Sequence, residues 1–89
     1  MQKPKRVKRK RKPLVREGIY RKLGSAIAER RLACDLSQKD LAEKCKYSRA
    51  SIGNIETGRH RVWIHDLIRL AIALEVDAIA LLQKALEEE

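Results

Sequence analysis

Four residues of one short run, Arg49, Ala50, Gly53 and Asn54, fall on a single face if that run is helical, with Ile52 and Ile55 on the opposite face. Their chemistry is that of recognition rather than turnover. An arginine can donate a bidentate pair to the O6 and N7 of guanine, an asparagine can pair with the N6 and N7 of adenine, and an alanine methyl can touch that of thymine. A second concentration of charge lies at the start of the chain. Residues 1–16 carry nine Lys/Arg and no acid, while the rest carries twelve of each sign, so the formal charge of +9 belongs to that segment. Such a density suits a polyanion, because each neutralised phosphate releases counterions. Chemistry of other kinds lacks its residues. Cys34, Cys45, His60 and His65 lack the close cysteine and histidine pairs of a zinc site. There is no Gly-rich phosphate loop, and no motif places a Ser/His/Asp set. The expectation is a non-enzyme with no metal and no cofactor.

The recognition run must be held by its neighbours. Ser37 suits an N-cap, with Asp40 three residues on to answer it, and Leu41, Ala42 and Cys45 follow at helical spacing. Ser48 opens a second run, and Gly58 stops it with the residue that takes the left-handed conformation most cheaply. Two helices this short cannot stand alone, so the flanking chain should fix their angle.

The stretch resembles the Cro/repressor-type helix-turn-helix regulators, the Xre-like family, in Arg31, Leu36-Ser37-Gln38, Leu41-Ala42, Ser48 and Ile52-Gly53-Asn54-Ile55-Glu56-Thr57-Gly58. The similarity covers roughly residues 21–82. It implies an all-α, five-helix, lambda-repressor-like DNA-binding domain in which the helix over about 48–57 reads the major groove. On that footing Arg49, Ala50, Gly53 and Asn54 are base-contacting, with Gly53 allowing close approach. Gln38, Ser48, Ser51, Thr57, Arg59 and Arg61 are phosphate-contacting, and His60 either assists when protonated or stands by. The resemblance also implies a partly buried ion pair between Arg31 and Glu56, tying helix 1 to helix 3. Three places depart from the family pattern. Asp35 and Lys46 stand where Gly is common, and Val62-Trp63 replace the usual Pro and Ser/Thr start of helix 4, leaving the lone Trp to cap that helix by packing, with core anchoring preferred over a direct DNA or dimer contact.

Composition agrees with a helical bundle. Hydrophobic residues make up 44% of the chain but aromatics only 3%, with no Phe, so the core must be Leu, Ile and Ala packing. Three parts are expected: a basic, disordered arm over 1–17, the helix-turn-helix domain over 18–86, and an acidic end over 87–89. Helix 1 should run from about Ile19 to Cys34 on a stripe of Leu23, Ala26 and Ile27. Helix 4 should bury Ile64, Leu67, Ile68, Ala71 and Leu74, and helix 5 should start after Asp77 and continue through Leu81, Leu82 and Ala85. Leu70, Ile72, Ile79, Leu82 and Leu86 are left over as a second apolar surface, which argues for a twofold homodimer. Within the arm, Lys5, Arg6, Lys8, Arg9, Lys10, Arg11 and Lys12 are the DNA-contact candidates; a solubilising tail is the bland alternative.

The functional expectation is a sequence-specific regulator, a repressor by preference, on a palindromic double-stranded DNA operator. The minimal members it resembles include Cro-like proteins, controllers of restriction systems and antitoxins. The competing reading is an antitoxin or bridging-factor-like adapter, for which a toxin or other protein is the main partner and the arm binds nucleic acid nonspecifically. Both cysteines sit inside predicted helices and read as reduced core residues. The longest apolar run, Ala78 to Leu82, is far short of the roughly 20 residues that span a bilayer, so no membrane partner is expected. The chain is placed in the cytoplasm, on the nucleoid.

Overall fold

The structure is a computed structural model that describes residues 18–87. The expected arm contacts, Lys5 to Lys12, and the last two acids lie outside the described residues. Within them the chain forms five helices and no strand: α1 (Ile19–Ala33), α2 (Gln38–Cys45), α3 (Arg49–Glu56), α4 (Ile64–Ala73) and α5 (Ala78–Glu87). Helix α1 packs on both α3 and α5, α2 packs on α3 and α4, and α4 packs on α5. One core of aliphatic side chains joins them, with Ile27, Leu41, Ile52, Leu70, Leu74 and Cys45 fully enclosed. Truncating one of the large members to alanine would cost about 2–5 kcal/mol.

Four of the helix ends are built alike. After α1, α2, α3 and α4 the chain passes through a left-handed residue: Asp35 (φ 60°), Lys46 (φ 61°), Gly58 (φ 82°) and Glu75 (φ 55°). In each case the amide of that residue bonds three residues back and the next amide bonds five back, as in Leu36 N–H to the Arg31 carbonyl (3.1 Å) and Tyr47 N–H to the Ala42 carbonyl (2.9 Å). This is the Schellman closure, which satisfies carbonyls that a helix end leaves bare. The residues that follow, Leu36, Tyr47 and Val76, press against the core and lock three of the four ends. Strain at Asp35 and Lys46 was foreseeable from their positions; Glu75 joins them unannounced.

Glycine is obligatory at two contacts that orient α3. A Cβ on Gly24 would lie 2.2 Å from the Ile55 carbonyl oxygen, so α1 crosses the end of α3 backbone to backbone. A Cβ on Gly58 would lie 2.6 Å from the Cα of Arg21, at a φ that already favours glycine. The end of the recognition run is thereby fixed against the first turns of α1.

The register of α4 differs from the expectation. Leu67, Leu70, Ala71 and Leu74 face inward, while Ile64 and Ile68 face solvent. Leu70, assigned above to the dimer surface, has 0% exposure within one chain and cannot contact a partner. Seven of the ten positions of Ile64–Ala73 are apolar, so period alone does not choose the face; the neighbours α2 and α5 choose it. Trp63 is the other correction: it stands 67% exposed at the start of α4 rather than anchored in the core. Cys34 ends α1 rather than lying within it and is only half-buried, its Sγ donating to the Leu74 carbonyl at 3.6 Å; Cys45 is buried.

Candidate nucleic-acid interface

Helix α3 begins at Ser48, whose Oγ accepts the Ser51 N–H at 3.0 Å and whose hydroxyl also meets the Ser51 hydroxyl. Ile52 and Ile55 are buried beneath it. Arg49 and Ala50 are exposed on the other side, with Ser51, Gly53 and Asn54 half-exposed beside them. Neither the Arg49 nor the Asn54 side chain has a partner among the described residues. A Cβ on Gly53 would meet only the Gln38 side chain at 3.9 Å, an ordinary contact, so nothing but open surface is gained by its absence. The face therefore presents two unspent planar donor groups around a shallow gap.

The far end of α3 is tied down. Arg31 grips the Glu56 carboxylate with both arms of its guanidinium, Nε to Oε2 at 2.6 Å and Nη2 to Oε1 at 3.2 Å, and spends Nη1 on the Leu36 carbonyl at 2.7 Å. The two side chains are only 11% and 6% exposed. Gln38 adds a third donor to the same carboxylate, at 2.9 Å. One buried acid thus joins the end of α1, the start of α2 and the end of α3. One of the two protons on the Gln38 side-chain nitrogen is spent in this joint, and the residue is half-exposed. At the start of α2, Ser37 and Asp40 form a reciprocal capping box, Asp40 N–H to Ser37 Oγ at 2.9 Å and Ser37 N–H to Asp40 at 3.0 Å. Those Ser37 bonds hold the Asp40 carboxyl below its usual range.

A second joint was not foreseen from the sequence. The Tyr47 hydroxyl donates to Asp66 Oδ1 at 2.5 Å, and Asp66 Oδ2 accepts the Trp63 N–H at 3.2 Å. Arg69 lies over the Tyr47 ring, 5.2 Å from its centroid, and reaches the Cys45 carbonyl. Burial, and then the bond to Asp66, pushes the Tyr47 phenol up to about 12. Burial pulls the Asp66 carboxyl upward, but the bonds from Tyr47 and Trp63 outweigh it and leave the group below its ordinary value. The turn ahead of α3 is thereby clamped to the start of α4. The only sequence signal was the Asp three residues after an uncapped helix start.

Between the two joints runs the loop 57–63. Arg59 and His60 both donate their N–H groups to the Asn54 carbonyl, at 2.9 and 3.2 Å, folding the loop back on α3. Thr57, Arg59, His60 and Arg61 are exposed along it. Away from this side, Ile72 and Ile79 on α4 and α5 are strongly exposed and Leu82 and Leu86 less so. Arg30 meanwhile closes the end of α4, giving Nε to the Leu74 carbonyl and Nη2 to that of Glu75, both at 3.0 Å. No described helix is long and apolar enough to cross a membrane.

Comparison with known proteins gives the arrangement its context. A family model described as a helix-turn-helix domain matches residues 22–82. The restriction-modification controller protein C.AhdI from Aeromonas hydrophila is 32% identical over 70% of this chain and 94% of its own, with a TM-score of 0.68. The clp gene regulator ClgR from Corynebacterium glutamicum is 25% identical over 84% of this chain and 92% of its own, with a TM-score of 0.74. The wild-type restriction-modification controller C.Esp1396I is 26% identical over 82% and 95% of the two chains, with a TM-score of 0.72. No curated protein matches the sequence significantly.

Proposed function

The chain belongs to the helix-turn-helix domain family, as a DNA-binding transcriptional regulator of the Xre-like kind, and on that premise we propose that it is a homodimer that represses from a palindromic operator. The observation that carries this reading is α3 itself: clamped at both ends, with Arg49 exposed and Asn54 half-exposed on its outer face, neither side chain partnered among the described residues. Arg49 reads a guanine through O6 and N7, Asn54 an adenine near it, and Ala50 a thymine methyl, while Gly53 lets the helix sit deep. Ser48, Ser51, Thr57, Arg59 and Arg61 hold phosphates and set the register. Gln38 braces Glu56 with one proton of its amide nitrogen and keeps the second for a phosphate at the start of α2.

Dimerisation follows from what one chain leaves uncovered. Ile72, Ile79, Leu82 and Leu86 form the seam. A twofold axis there places two α3 helices in successive major grooves, about 34 Å apart. The basic arm joins the domain at Gly18, less than one turn from Arg21, whose backbone abuts Gly58 at the phosphate loop. Its exit beside that loop supports an arm that follows the duplex, within the cytoplasm and on the nucleoid. The 32% identity to a restriction-modification controller favours a small control protein of that type among the minimal regulators.

Selection from random duplexes at about 0.15 M salt, which screens weak contacts, tests the reading. A palindrome with half-sites one helical turn apart is expected. Enrichment of no motif would contradict it and leave an adapter whose arm alone binds nucleic acid.

A further inference from the structure

Trp63 is the only tryptophan of the chain, and it is spent on solvent. Its backbone is extended (φ −73°, ψ 161°) and rigidly placed. On one side the loop that leads to it is bonded to the Asn54 carbonyl through Arg59 and His60. On the other, its own N–H is bonded to Asp66, which holds the Tyr47 hydroxyl immediately ahead of Ser48. The main chain at Trp63 is therefore referenced to both ends of the reading helix. Its surroundings are basic: residues 57–65 contain Arg59, His60, Arg61 and His65 and no acid, and Asp66 is turned inward, its side chain 16% exposed with Oδ1 3.3 Å from His65 Nε2. An indole with one apolar face and one N–H donor is a side chain suited to a surface that is part hydrocarbon and part anion.

We propose that Trp63 is a further DNA-contacting residue, its ring laid against the deoxyribose of the strand that flanks the half-site and its N–H donating to a phosphate oxygen. The inference rests on the operator-binding reading above. The charge around Trp63 selects the occupant, since a polyanionic backbone complements Arg59 and Arg61 where a second copy would bring the same cations together. Trp63 adds affinity without reading sequence, because sugar and phosphate are common to all base pairs.

The single indole is its own reporter. Titrating the full chain with the duplex enriched by selection should blue-shift and quench the tryptophan emission, saturating where the anisotropy of the labelled duplex saturates. Trp63→Ala should weaken cognate and mismatched duplexes alike, about tenfold, as loss of a hydrogen bond to a charged group would. The salt dependence should keep its slope, because a neutral indole displaces no counterion, whereas Arg61→Ala should lower the slope by about one. Trp63→Phe, which keeps a ring and loses the donor, should fall between. A duplex that binds by anisotropy while the emission stays unchanged overturns the Trp63 contact and leaves the operator reading intact. An emission change driven by protein concentration alone places Trp63 in the seam between copies and overturns it as well. Absence of any duplex binding removes the operator reading and this inference with it.

Discussion

Glu56 is the residue on which the recognition helix depends most. Its carboxylate receives Arg31 and Gln38 while almost wholly shielded from water. Removing Arg31 strands that charge, so Arg31→Ala should cost about 3–5 kcal/mol, and the double variant with Glu56→Ala should cost less than the sum of the two single ones. Chemical denaturation of the four proteins measures the coupling; strict additivity would mean that the pair contributes nothing jointly. This pair was legible in the sequence, because Arg31 and Glu56 both stand in the family pattern. The Tyr47–Asp66 joint was not, since 19 residues separate its partners and neither belongs to that pattern. It makes its own pH prediction. Tyr47 holds its proton more tightly folded (about 12) than unfolded (10.0), so its contribution is whole below pH 10 and is lost as pH rises from there toward 12. Asp66 has the opposite sign: its contribution is present above 3.8 and is lost as pH falls through its lowered value. Melting curves of wild type minus Tyr47→Phe should therefore show a stability difference that is flat near neutrality and shrinks at both extremes. A difference independent of pH would show that the hydroxyl bond is not formed.

Helix ends and helix faces were unequally readable. The caps at Ser37 and Ser48 and the stop at Gly58 follow from side-chain chemistry that acts within a few residues, and they stand where the sequence places them. The inward face of α4 could not be read that way, because Ile64, Leu67, Ile68, Leu70 and Ile72 offer more than one acceptable stripe. What decides between them is packing on α2 and α5, which is not a local property. The same limit applies to Trp63, expected in the core and found 67% exposed. The Schellman ends give a stability test at this level. Asp35, Lys46 and Glu75 adopt a conformation that disfavours side chains, so Asp35→Gly and Glu75→Gly should each stabilise by about 1 kcal/mol. Gly24→Ala should do the reverse, since its methyl would meet the Ile55 carbonyl and tilt α3 away from α1. Thermal melts check the first pair. A loss of stability in Asp35→Gly would mean that the Asp side chain supports the turn in some other way.

At the level of the whole molecule, the arrangement separates two surfaces. One side carries Arg49, Asn54 and the basic loop; another carries the aliphatic residues of α4 and α5. Ile79 is 70% exposed, so Ile79→Asp should leave the fold of one chain intact while it breaks the seam. Sedimentation should then show a monomer where the wild type is a dimer, and the wild-type melting temperature should rise with concentration. A wild-type chain that stays monomeric would refute the seam.

The claim on which everything else rests is that α3 reads bases, once in each half of a symmetric site. The duplex selection repeated with Arg49→Ala tests it most directly. The wild-type palindrome is expected with a single G·C position relaxed in each half-site, the two placed symmetrically about the centre. An unchanged consensus, bound more weakly at every position alike, would make Arg49 a phosphate contact and would rule out base reading by its side chain.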